Sequence, residues 1–188
     1  MLKQVFILIY QLIAEPGKTW TRLLVNQEQG SAGFYKGYLY PIFGIIALFS
    51  FIGILIGDTK PDFLQTASKA VVKQLAIYLG SFYLASHILS EYVYPKFKKE
   101  KNKPLSEKFV GYSSALVYVV AMASSLFPSL FFLQILAFYS IFMIWQGAIH
   151  YVKIEENNWV KFTVHSSLVV LLSPMLCALL IKLLFPNM

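Results

Sequence analysis

From Phe109 to Val152 the chain carries no lysine, arginine, aspartate or glutamate. A helix needs about 20 predominantly apolar residues to cross the hydrocarbon core of a bilayer, so a run of this length accommodates two crossings, with Pro128 marking the turn between them. Gly37 to Gly57 is equally free of charge, and Phe162 to Ile181 is interrupted only by His165. Across the whole chain 13% of residues are charged, against about 25% in soluble domains. A further segment, 70–94, has an uncharged centre from Gln74 to Ser90, and Lys69 and Lys73 near its entry can snorkel to the headgroups. The sequence therefore reads as an all-α polytopic membrane protein. Five transmembrane helices are expected near 37–57, 70–94, 109–127, 129–151 and 162–184, within a single membrane domain, 1–188. Spans so closely spaced leave almost nothing for a soluble domain.

The apolar stretch VFILIYQLIA after Lys3 is similar to a secretory signal, but no small-x-small cleavage site follows and Gln11 interrupts it, so cleavage is not expected. Gln4, Gln11, Glu15, Lys18 and Arg22 recur at steps of seven, four, three and four, the spacing of one helix face, and Pro16 divides that helix in two. Residues 2–28 are expected to form interfacial amphipathic helices in the headgroup plane, with Trp20 at the interface. A short re-entrant element is the alternative. Cys177, the only cysteine, lies inside the last span, so no disulfide framework is expected.

Basic loops resist translocation, so lysine and arginine counts set orientation. Of the 16 basic residues, twelve precede span one or lie between spans two and three or four and five; Lys60, Lys69 and Lys182 lie on the other side and Lys73 within span two. This places the N-terminus in the cytoplasm and the C-terminus outside, and the membrane expected is the bacterial inner (cytoplasmic) membrane. Lys96, Lys98, Lys99, Lys101 and Lys103 crowd the loop 95–108. They act first as a topology signal and second as an attraction for anionic lipid headgroups, worth about 1 kcal/mol per basic residue near the surface. No aromatic-interleaved groove or recognition helix accompanies them, so nucleic acid is not an expected partner.

Helices in lipid associate through close packing of small residues. Gly53 and Gly57 form a GxxxG that serves either a contact between subunits or one inside the chain. Ala76 with Gly80, and Ser113, Ser114, Ala121, Ala123, Ser124 and Ser125, are further packing positions, and Ser173-Pro174 is expected to kink the last span.

Ionisable residues inside spans are expensive and are functional candidates by default. His87 and Glu91, one helical turn apart, His150 and His165 all fall near the cytoplasmic ends of their spans. Four readings stay open: local hydrogen bonding or snorkelling, a structural polar cluster, a metal site for zinc or another first-row ion, and a proton relay. The sequence has no GxSxG, no phosphate-binding glycine loop and no HExxH, so neither enzymatic activity nor a resident cofactor is expected.

Three short elements carry a family resemblance. Pro16 and Trp20 in EPGKTW form a Pro-x-x-x-Trp; Tyr38, Tyr40 and Pro41 lie in YLYP at the mouth of span one; and Gly111, Tyr112 and Ser113 head span three. With the five-span layout these resemble prokaryotic members of the Yip family, membrane proteins named for interaction with Ypt/Rab GTPases. The family's Asp-Leu-Tyr-Gly-Pro element is present without its acidic residue and its glycine. The resemblance implies fold and topology more than a biochemical activity. Tyr38, Tyr40 and Tyr112 are expected in the cytoplasmic aromatic belt. The function expected is that of a non-enzymatic protein binding membrane components, anionic lipid headgroups or a membrane protein partner, as a homo-oligomer. The alternative is a small transporter or metal- or proton-handling protein built on His87, Glu91, His150 and His165.

Overall fold

The computed structural model describes residues 2–25, 31–57 and 62–186. Within them every regular element is helical. The chain opens with α1 (Leu2–Ala14) and α2 (Pro16–Val25). Pro16 is the first residue of α2, where its missing N–H breaks no helical bond, so the expected division of this segment falls there. The Thr19 hydroxyl donates to the Gln11 carbonyl across the break at 3.0 Å. Next, α3 (Ser31–Phe34) runs through a π-type turn (Tyr35–Leu39) into α4 (Tyr40–Gly57). In the same way α5 (Phe63–Ile88) continues through a π-type turn (Leu89–Val93) into α6 (Tyr94–Lys96). The helices α7 (Lys103–Ser113) and α8 (Ala115–Leu126) meet at Ser114 with a 47° bend. A 3-10 segment (Pro128–Tyr139) leads into α9 (Ser140–His150), and α10 (Trp159–Leu184) completes the bundle.

Among the described residues three helices are long and apolar enough to cross a membrane: Ala32–Ile56, Phe132–His150 and Glu156–Leu184. The bent pair α7 and α8 supplies a fourth if counted as one crossing. At 26 residues α5 spans about 39 Å, but Lys69, Lys73, Gln74 and His87 leave it outside this apolar class. The helix expected at 109–127 begins earlier, at Lys103, because the Asn102 side chain accepts from the Leu105 N–H at 2.9 Å and Pro104 occupies the first turn. The one expected at 129–151 is 3-10 rather than α-helical over its first half, with a kink at Leu130 (φ −87°, ψ 33°). Pro174 sits inside α10, and the Ser173 hydroxyl beside it donates to the Val169 carbonyl at 2.5 Å. The connection carrying Lys60, and residues 26–28 of the N-terminal segment, lie outside the described residues.

Side-chain burial is concentrated at the end of the bundle that carries the basic loop. Trp20, Leu89, Tyr94, Phe109, Met143 and Phe162 are all fully enclosed there. On the far half of α10, Met175, Leu179 and Leu183 are 63%, 57% and 76% exposed. In a bilayer these side chains face acyl chains at no cost, so only the closed end requires a protein core.

Small residues set the helix separations. A Cβ on Gly53 would overlap the Ser125 carbonyl oxygen, which assigns this glycine to a contact between α4 and α8 within the chain. Gly57 ends α4, and its surroundings lie outside the described residues. A Cβ on Gly80 would stand 3.4 Å from the Cys177 sulfur, so α5 and α10 approach through a glycine and the chain's one free thiol.

The N-terminal helices are docked on the bundle. Val5, Ile9 and Leu12 of α1 are buried, while Phe6 and Tyr10 on its other faces are exposed. Trp20 departs from its expected interfacial position. It is 0% exposed, because its indole N–H reaches the Met143 carbonyl at 2.9 Å and satisfies the one polar group that would hold it near water.

Candidate functional site

The three short elements that carry the family resemblance, far apart in sequence, meet at Tyr112. Its ring lies 6.0 Å from Trp20, edge to face, and 4.7 Å from Tyr38. The Tyr38 hydroxyl points to the Gly111 carbonyl at 3.4 Å. Pro16, Pro41 and Ser113 are buried as well. The expected aromatic belt is therefore corrected: Tyr38 and Tyr112 are buried, and of the three tyrosines only Tyr40 is exposed. Glycines explain the burial. A Cβ on Gly111 would lie 2.5 Å from the Phe34 ring, and one on Gly147 would lie 2.8 Å from both Trp20 and Phe109. These two backbones are bare where rings press on them, which draws the π-type turn at Tyr35–Leu39 and helix α2 into the core.

On this foundation stands the basic loop. Helix α6 ends in a Schellman motif: Lys99 N–H donates to the Tyr94 carbonyl at 3.0 Å, Lys98 N–H to the Pro95 carbonyl at 3.1 Å, and Lys98 is left-handed at φ 57°. Phe97 turns inward against Phe162 at 5.4 Å, anchoring the loop to α10. Lys96, Lys98, Lys101 and Lys103 are exposed and Lys99 is half-buried, so this rim displays its cations outward. A side chain in the left-handed region costs about 1 kcal/mol relative to glycine. Lys98→Gly is accordingly expected to raise the stability of the detergent-solubilised protein by about 1 kcal/mol, read as a later unfolding midpoint. No gain would contradict the left-handed closure.

The polar candidates divide among separate neighbourhoods. Glu91 accepts from Lys101 at 2.5 Å, and this carboxylate holds the Lys101 ammonium above the usual lysine value; His87, one turn earlier, is exposed on the same side. His165 lies between Lys96 and the Lys161 carbonyl, each 2.7 Å from a ring nitrogen. His150 lies against α2, where a Cβ on Gly17 would come within 3.3 Å of its Nε2. Among the described residues no three histidine, cysteine, aspartate or glutamate side chains converge on one point. The four residues do not share a first coordination shell. Glu91, His150 and His165 instead face the basic loop, α2 and Lys96 respectively, and His87 is exposed beside Glu91.

Sequence reasoning missed two features. Glu107, counted with the basic loop, is a buried carboxylate in α7 that interacts with the Tyr35 hydroxyl. At the other end, the Gln74 amide donates to the Ser125 hydroxyl at 3.1 Å, and the Ser50 hydroxyl lies 3.4 Å from the same oxygen. This polar ladder borders a half-open cavity of about 800 Å³ among α5, α8, the 3-10 segment and α10, lined by Gln74, Tyr78, Phe138 and Met175 among others. A glutamine inside a span was the available signal for the ladder.

No family model matches the chain, and the comparisons with curated proteins and with solved structures give no match either.

Proposed function

We propose that this is a non-enzymatic integral membrane protein of the Yip type that acts by binding other membrane components at its cytoplasmic face. In this reading α5 crosses as well, with Lys69 and Lys73 snorkelling, which brings the crossings to five. The N-terminus then lies in the cytoplasm and the C-terminus outside, in the bacterial inner membrane. The protein works as a homo-oligomer, with anionic headgroups and a membrane protein as its partners. The observation that carries the reading is the rim itself. Lys96, Lys98 and Lys99 stand on a turn closed by backbone hydrogen bonds and pinned by Phe97, so its backbone is set before any partner arrives, and Lys101 and Lys103 follow it on the same rim. Preorganised charge of this kind loses little entropy on binding. The convergence of Trp20, Tyr38, Gly111 and Tyr112 beneath it gives the resemblance a physical sense, since these residues build the platform.

Replacing Lys96, Lys98, Lys99, Lys101 and Lys103 together by glutamine tests the surface. Capture of membrane partners from mild detergent is expected to fall, and enrichment of phosphatidylglycerol among co-purified lipids to fall about tenfold or more, given about 1 kcal/mol per cation. Unchanged partners and unchanged lipid would remove the assignment. The alternative built on metal or proton handling by His87, Glu91, His150 and His165 gains no support from their placement against different neighbours.

A further inference from the structure

The contact between Lys96 and His165 has a chemistry that the basic rim alone does not. The Lys161 carbonyl, 2.7 Å from His165 Nδ1, can only accept a hydrogen bond, so the ring proton sits on Nδ1. Nε2 then carries a lone pair, and it is this lone pair that meets the Lys96 ammonium at 2.7 Å. The arrangement requires a neutral ring. Once Nε2 gains a proton, two cations face each other at hydrogen-bonding distance. The groups around them offer no relief: Phe97 of α6 stands edge-on to the imidazole at 5.7 Å, Tyr94 stacks on Phe162, and Glu91, the carboxylate of the preceding π-type turn, is engaged by Lys101. Among the described residues neither Lys96 nor His165 has a carboxylate partner.

We propose that Lys96 and His165 form a proton-linked site for the phosphate of an anionic lipid headgroup. On acidification the imidazolium Nε2–H and the Lys96 ammonium become two donors turned toward the same space. A phosphodiester accepts from both with charge-assisted hydrogen bonds, and its negative charge replaces the lost lone pair as the group that holds the two cations together. Proton and headgroup binding therefore strengthen each other by the same factor. The inference rests on the reading of this rim as lipid-facing and adds a specific residue pair and a dependence on the protonation of one imidazole.

The protein has three histidines, each an internal control for the others. Histidine-selective ¹⁵N labelling, with the protein in nanodiscs of phosphatidylcholine alone or mixed with phosphatidylglycerol, lets each ring be titrated separately. Phosphatidylglycerol is expected to raise the proton affinity of His165 by about fivefold more than that of His87 and His150. Lys96→Gln should abolish this excess while the other two signals stay in place. If His165 moves no more than its two companions, the site is overturned; if anionic lipid moves none of the three, the lipid-facing reading of the rim fails as well. An equal response to inorganic phosphate in neutral discs would overturn the headgroup as the ligand.

Discussion

Gly53→Ala is expected to destabilise the bundle by about 3 kcal/mol, at the upper end of the usual range for overpacking. The added methyl would come within 1.9 Å of the Ser125 carbonyl oxygen, and the Ser125 carbonyl carbon would stand only 2.9 Å away. Both obstacles are backbone, so no rotamer change relieves the clash and α4 must move away from α8. That movement also separates Ser50 from Ser125 and weakens the ladder that reaches Gln74. Gly44→Ala on the same helix is the control, because nothing lies within 4 Å of its added methyl. It is expected to be neutral or mildly stabilising, since alanine favours a helix over glycine by about 1 kcal/mol in water. Unfolding midpoints of the two variants in one detergent decide the matter. Equal midpoints would remove the close approach of α4 and α8.

Much of this architecture could be read from composition and spacing because the bilayer imposes a simple rule: the backbone must bond to itself, so long apolar runs become helices. The charge-free run after Phe109 and the run that opens at Gly37 contain candidate crossings for that reason. Pro16 was equally legible, since a missing N–H has one comfortable place in a helix. What could not be read was which side of a residue faces protein. Trp20, Tyr38 and Tyr112 have the composition of an aromatic belt, yet they are buried because Gly111 and Gly147 leave room for rings supplied by distant segments. Such complementarity is a property of pairs of helices and leaves no periodic trace in either one. The histidines illustrate the same limit: position along a helix is readable from the sequence, but rotation about each helix axis sends His150 toward α2 and His165 toward Lys96. The crossing expected at 70–94, in α5, falls outside the apolar class. Its lysines and glutamine lower its hydropathy, while its length and its packing on α4 and α10 are those of a full bundle member.

Trp20→Ala is expected to cost about 3–5 kcal/mol, the range for removing a large aromatic side chain from a core. The indole is in ring contact with Phe109 at 5.6 Å, Tyr151 at 5.0 Å and Tyr112 at 6.0 Å, and its N–H bonds the Met143 carbonyl. It is also the main anchor of α2, a helix of 10 residues that cannot persist by itself. Loss of the anchor should therefore release the N-terminal helices before the bundle unfolds. Trypsin is expected to cut after Lys18 and Arg22 much faster in Trp20→Ala, at a temperature where the remainder of the bundle stays protected. Trp20→Phe separates the two contributions. It keeps most of the ring packing and forfeits the hydrogen bond, for an expected cost of about 1 kcal/mol and little added cleavage. If Trp20→Ala leaves both stability and cleavage unchanged, the N-terminal helices are not held by the aromatic core. The platform beneath the basic rim would then have to be built from α7, the first π-type turn and α10 alone.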